Sequence, residues 1–416
     1  MTPRHHTHKI AGVGVPVSLL SDPEAFGGTV EGDLRAGTLL VRDGRAVGLE
    51  NPGAHQPVSR IVMPRLTEAH VHLDKCHTVH RMDAVGGDLA AALAAQREDK
   101  ANWTGDDLQA RIRRGLDELA RAGCGAVRSH IDWAAGTDTS DAPLAWEVIC
   151  ALKDSAQDQG ILLQPAALTG IDEMARGDQA MAVARRVSRD GGVLGSFLLA
   201  HENRQAGLRA LFRAADRFGL ALDFHVDEGL DASLNGLEMV ADLALEMRFE
   251  GPLLCGHACS LASKAPGDVT RIADKLQRAG IAVAALPSTN LYLQGRRSGT
   301  PDRRGLTLLH ELAKQGVETL VGTDNVRDAF CPVGRHDPVS TLSLAVLAGH
   351  LDPPFGRHLP MITTTARKAM GLAPLRIDGA ACADLIATPA TDLSELLSGT
   401  AAPVCLTNLI REARHD

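Results

Sequence analysis

Aromatic residues are scarce in this chain. Tyr occurs once, Trp 3 times and Phe 8 times in 416 residues. So few large rings leave few conventional anchors for a protein interface. Cysteine is thin as well. Its 8 copies form no CxxC pair, and Cys255 and Cys259 come closest. That excludes a disulfide scaffold, a zinc finger and a thioredoxin-type centre. Basic charge is not in excess, with 43 Lys+Arg against 51 Asp+Glu and a net charge of −8. A general nucleic-acid binder usually carries a basic face, so none is expected. No apolar run approaches the roughly 18 residues that span a bilayer, so no membrane partner is expected. The opening MTPRHHTHKI lacks the charged-then-apolar layout of a signal peptide, which predicts a cytoplasmic protein. A GxxxxGK[ST] loop, a complete GxGxxG fingerprint and a GxSxG elbow are all missing.

What is present is an ordinary globular composition, 44% hydrophobic and 23% charged. Residues 37–44 read as a strand running into an Asp-Gly turn, and 45–50 as its returning partner. Near the other end, 375–379 and 383–388 are strand-like. The two ends together predict a small β-sandwich domain built from residues 1–61 and 373–416. The middle, 62–372, alternates. Strand candidates are 62–72, 126–133, 161–168, 193–200, 221–226, 253–257, 281–286 and 319–323. Helical patterns lie between them. In 106–122, Leu108, Ile112, Leu116 and Leu119 share one face, and Gly123 follows as a cap. Eight such units predict an α/β fold, a (β/α)8 TIM barrel, with an open doubly wound sheet as the alternative.

A barrel of this kind carries its chemistry at the C-terminal ends of its strands. The first run ends in His70-Val-His72, and residues i and i+2 of a strand point the same way. The fifth ends in His225-Val-Asp-Glu228, the sixth in Gly256-His257 and the eighth in Gly322-Thr-Asp324-Asn325. Each alone has a bland reading: surface histidines, a solvated carboxylate, a satisfied core histidine, a helix cap. Together, four of eight runs finish in a metal-competent side chain at one end of the barrel. That coincidence points to a metal site.

The text around these residues resembles the amidohydrolase superfamily, and within it the cytosine-deaminase-like branch. The matching segments begin at Pro64 and run through HLDK to Lys75. They continue with Arg128-Ser-His-Ile-Asp132, Phe224-His-Val-Asp-Glu228, Gly256-His257, the LQGR element around Gln294, Arg303-Arg-Gly305 and Gly322-Thr-Asp-Asn-Val-Arg-Asp328. The resemblance implies that His70, His72, His225 and Asp324 bind one divalent metal, Zn²⁺, Fe²⁺ or Mn²⁺. It implies Glu228 as proton shuttle, His257 as stabiliser of developing negative charge and Asp324 as a proton acceptor. Binuclear members use a bridging Lys on the fourth strand. The fourth run here has none, although Glu202 follows it, so a mononuclear site is expected. The implied activity is metal-dependent hydrolytic deamination of a small nitrogen heterocycle, an amino-substituted pyrimidine, triazine or similar cyclic amidine. Hydroxide generated at the metal would attack the ring carbon that bears the amino group.

Two departures count against cytosine itself. Leu168 stands where cytosine deaminases present a glutamine, with Gln164 the nearest amide. Asn325 replaces a second aspartate. The DNVRD text instead resembles the branch that removes alkylamines from s-triazines, which gives a second reading. A non-catalytic metabolite-binding barrel is a third. Further contacts to substrate are expected from Gln294, Phe330 and Lys75, each with a structural alternative: a loop hydrogen bond, ordinary core, or pairing with a carboxylate. Asp74, His130 and Asp132 are candidate partners that orient the ligands. A homo-oligomer is compatible with this type of barrel.

Overall fold

The computed structural model describes residues 7–51, 56–83, 85–133, 142–300, 302–399 and 401–412. Among them, eight parallel strands follow one another in strict order: Leu66–Val71, Cys124–Trp133, Leu162–Gly170, Val193–Leu198, Leu222–Val226, Leu253–His257, Ala282–Ala285 and Thr319–Val321. Helices separate them and lie outside, as the alternating pattern predicts. Helix Gly105–Arg121 turns Leu108, Ile112, Leu116 and Leu119 inward and buries all four. The chain adopts a TIM barrel.

The first and last strands share no ladder. They meet at one parallel bridge, Val71 to Asp324. The Asp324 N–H donates to the His70 carbonyl at 2.9 Å, and the His72 N–H to the Asp324 carbonyl at 3.4 Å. Below this bridge the Glu68 carboxylate accepts the His70 N–H at 2.9 Å and the Thr323 N–H at 3.0 Å. Glu68 is fully buried, and burial pushes its carboxyl up to about 8. The seam is therefore closed by the segments that carry the metal-competent residues.

The terminal segments form one hydrogen-bonded sheet of seven strands. The expected hairpin is present, Leu34–Arg42 against Arg45–Glu50. Several strand bounds differ from the sequence reading. The run 62–72 is two strands, because Pro64 offers no N–H to continue a ladder. Arg60–Pro64 pairs with Leu385–Thr388 in the terminal sheet, and Leu66–Val71 starts the barrel. The segment 375–379 is not a strand. Its side chains instead satisfy the 18–22 loop: Arg376 donates to the Ser18 and Leu20 carbonyls, and Asp378 accepts the Ser21 and Asp22 N–H groups. The third barrel strand runs two residues further than 168, to Gly170.

No described helix is long and apolar enough to cross a membrane. Packing is tight at the seam. A Cβ on Gly322 would sit 2.8 Å from the His70 carbonyl oxygen and 2.9 Å from the His70 Cβ. Gly322→Ala should therefore lose about 1–3 kcal/mol of stability in urea unfolding. Gly267→Ala, on a helix where a Cβ meets nothing within 4 Å, is the neutral control. Equal stability of the two variants would contradict the seam's tight fit.

Candidate active site

Each metal-competent residue sits where a strand ends and the chain turns. Asp227, His257 and Asp324 take φ of 52°, 70° and 57°. Such values are uncommon outside glycine, and strain of this kind collects at functional sites. The turn at Asp227 is held by its own carboxylate, which accepts the Gly236 N–H at 2.8 Å and the Leu237 N–H at 3.1 Å. The next residue is Glu228, whose carbonyl accepts the Gln294 amide at 3.2 Å. Gln294 thus fixes the Glu228 backbone, and it does not line the cavity.

His70, His72, His225 and Asp324 converge. His72 Nε2 lies 3.1 Å from His225 Nε2 and 3.3 Å from Asp324 Oδ1, and His70 Nε2 lies 3.7 Å from that same oxygen. Four ligands bonded tetrahedrally at about 2.1 Å stand about 3.4 Å apart, so these edges fit one divalent ion. Both His70 nitrogens and both Asp324 carboxylate oxygens are buried without a hydrogen-bond partner. Buried polar atoms are seldom left unpaired, and an ion at their centre would satisfy them. Burial drives the His70 and His225 imidazoles well below their ordinary range, and His72 down to about 4. All three are neutral at pH 7, the form that binds metal. Burial works against the Asp324 charge, but the adjacent His72 ring and the charge on His257 outweigh it and hold the carboxyl low.

Glu228 and His257 face this group. Their Oε2 and Nε2 atoms are 3.7 Å apart, and His257 Nδ1 is 3.0 Å from the Asn290 amide oxygen. Burial raises the Glu228 carboxyl, and the His257 charge only partly opposes it. His72, His225, Glu228, His257 and Asp324 open into one cavity of about 450 Å³. Leu168, Lys75, Asn325 and Phe330 line it too. The Lys75 ammonium pairs with Asp132 Oδ1 at 2.8 Å and stands 5.2 Å from the centre of the Phe330 ring. Burial opposes both charges of that pair. Even so, Asp132 and Asp74 raise the ammonium above its ordinary value, and Lys75 and Lys100 hold Asp132 well below its own. The Asn325 amide donates to Asp328 at 2.6 Å.

His130 clusters with His70, His72 and His225, one ring nitrogen of each within 4.8 Å of the others. Its ring centroid is 4.2 Å from that of His70 and 4.6 Å from that of His225, and its Nε2 is 3.2 Å from Asp223. Gln164 does not reach the cavity, because Arg128 holds its amide oxygen at 2.8 Å. Glu202, after the fourth strand, is exposed. Several contributors escaped the sequence reading: Glu68, Asp227, Asn290 and the helix Leu89–Lys100, which lines the cavity with Leu89, Leu93, Gln96, Arg97 and Lys100. Glu68 and Asp227 fall within the matching segments, where the sequence reading gave them no role. His225→Ala should cut the bound divalent metal per chain at least to half, measured by plasma mass spectrometry on purified protein. Unchanged metal content would remove His225 from the ligand set.

The Amidohydro_3 model, described as "Amidohydrolase family", matches residues 79–394. The chain is 36% identical over 342 residues to a pterin deaminase of Rhizobium rhizogenes, covering 81% of this chain and 77% of that protein. Among solved structures it is similar to a 5-methylcytosine deaminase from Klebsiella pneumoniae liganded with 5-fluorocytosine. The TM-score is 0.78 and the identity 23%, over 96% of both chains. It is also similar to N-isopropylammelide isopropylaminohydrolase from Burkholderia multivorans, with a TM-score of 0.70 and 19% identity over 96% of this chain and 97% of that one. The chain belongs to the amidohydrolase family.

Proposed function

We propose that this protein is a metal-dependent hydrolytic deaminase of a small heterocycle, and that its substrate is a 2-amino-4-oxo ring of the pterin kind. The observation that carries the reading is the convergence of His70, His72 and His225 Nε2 on Asp324 Oδ1, with the His70 nitrogens and the Asp324 oxygens unpartnered, beside Glu228 and His257. The similarity to a pterin deaminase supports the ring class. The cavity walls favour a flat ring, with Trp133, Leu168, Phe197 and Phe330 around it.

His70, His72, His225 and Asp324 would hold the divalent ion. When bound, such an ion lowers the pKa of a coordinated water towards 7 and supplies a nucleophile at neutral pH. The residues manage the protons. Asp324 keeps its carboxylate charged and accepts a proton from the attacking water. Glu228, with its carboxyl raised by burial, delivers a proton to the ring nitrogen beside the reacting carbon. His257 Nδ1 is turned to Asn290, so Nε2 faces the reaction centre and meets the charge that develops there. Lys75 stays paired with Asp132 and holds one wall of the cavity. Asp324 then passes the proton it took from the water to the amino group, Glu228 takes back the proton of the new hydroxyl, and ammonia leaves as the ring C=O forms.

The test is incubation of metal-loaded protein with pterin, aminopyrimidines and N-alkylamino-s-triazines. The expected products are ammonia and the 2,4-dioxopteridine. Release of an alkylamine alone would contradict the ring assignment, and addition of a whole water without amine loss would contradict deamination. Glu228→Gln should lower kcat by about 10²–10⁴-fold and keep its metal. Full activity in that variant would remove the proton-shuttle role.

A further inference from the structure

The helix Leu89–Lys100 follows the first barrel strand and covers the cavity. Leu89, Leu93, Gln96, Arg97 and Lys100 are spaced to fall on one helical face, and all five line the cavity. The helix is tied down at its far end. Arg81 forks onto Asp99 at 2.6 and 2.9 Å, the Trp103 indole donates to Asp99 at 2.7 Å, and Lys100 pairs with Asp132. Beside that face, Ala92 and Leu89 pack in one apolar cluster with Leu293 and Phe330. The position of the Gln96 backbone is thereby set.

Gln96 is 2% exposed, yet neither its amide nitrogen nor its amide oxygen has a hydrogen-bond partner. Among the described cavity-lining residues, four others have buried side-chain atoms without a partner: His225, Glu228, His257 and Asp324. Each of those already has a place in the reaction. Gln96 has none. A buried amide with both ends unmet is costly, and a ligand that meets both ends recovers that cost. One amide can accept from a donor and donate to an adjacent acceptor at the same time. The complementary edge on a heterocycle is a ring lactam, an N–H beside a C=O.

We infer that Gln96 is a specificity-determining residue that reads the lactam edge of the substrate ring with its amide. The inference rests on the deaminase reading above and adds the contact by which a 2-amino-4-oxo ring is chosen over one without the oxo group. It also accounts for Leu168: the polar reading comes from the covering helix, and the third strand supplies only an apolar wall.

The experiment compares wild-type holoenzyme with Gln96→Leu and Gln96→Glu on two rings, pterin and 2-aminopteridine, which lacks the lactam. Turnover is followed by ammonia release, and binding of a poorly turned-over ring by competitive inhibition. Gln96→Leu should lower kcat/KM for pterin by about 10- to 100-fold, mostly through KM, and change 2-aminopteridine by less than about 3-fold. Gln96→Glu, which keeps the shape but can only accept, should lose pterin in the same way. The melting temperature of Gln96→Leu should hold or rise, since an apolar group replaces an unsatisfied amide. A purely structural glutamine would behave otherwise, with lower stability and equal losses on both rings. Equal losses, or no loss on pterin, would overturn the inference. Absence of ammonia from the wild type on both rings would remove the deaminase reading, and this inference with it. Activity on both rings combined with an unaffected Gln96→Leu would spare that reading and overturn only the lactam contact.

Discussion

The bridge between Val71 and Asp324 is the constraint on which this structure depends. A barrel must close, and here the last strand is only Thr319–Val321, too short to pair with the first. Closure falls to Asp324 itself, whose backbone exchanges hydrogen bonds with His70 and His72. Glu68 ties the same two segments from within. The backbone geometry that shuts the barrel is therefore the geometry that sets two imidazoles opposite a carboxylate. Gly322 leaves room for it. Fold and site share one set of contacts at this point.

Electrostatics follow from that placement. Three imidazoles and a carboxylate are buried a few ångströms apart, and burial keeps the imidazoles neutral. The carboxylate keeps its charge. A neutral, electron-rich cluster around one anion is built to accept a cation. Around it the ionic groups are already paired, as in Lys75 with Asp132 and Arg128 with Asp223. Glu228 differs. It is buried, its carboxyl is raised, and its Oε1 has no partner. A buried carboxyl with a free oxygen is suited to hand a proton to a group beside it.

Much of this was legible in the sequence. The period-2 relation of His70 and His72 and the polar ends of the fifth, sixth and eighth runs were enough to gather the site, because strand ends in a barrel share one rim. Strand boundaries were less legible. Residues 62–72 read as one strand, and the partner change after Pro64 divides it. The contribution of Glu68 was hidden, because a carboxylate reaching backbone N–H groups on a strand about 255 residues away leaves no local pattern. Gln96 was hidden for a similar reason. Its helix has a weakly patterned, alanine-rich sequence, and its importance lies in which face meets the cavity. Leu168 and Phe330 line the cavity, and the Gln294 amide donates to the Glu228 carbonyl.

The most direct test of the central claim is a metal titration. Protein stripped with a chelator would be reloaded with Zn²⁺, Fe²⁺ or Mn²⁺ in steps, and ammonia release from pterin measured at each step. The account predicts no activity without metal, and a rise that saturates at one ion per chain. Full activity in the stripped protein, or saturation only at two ions per chain, would contradict it.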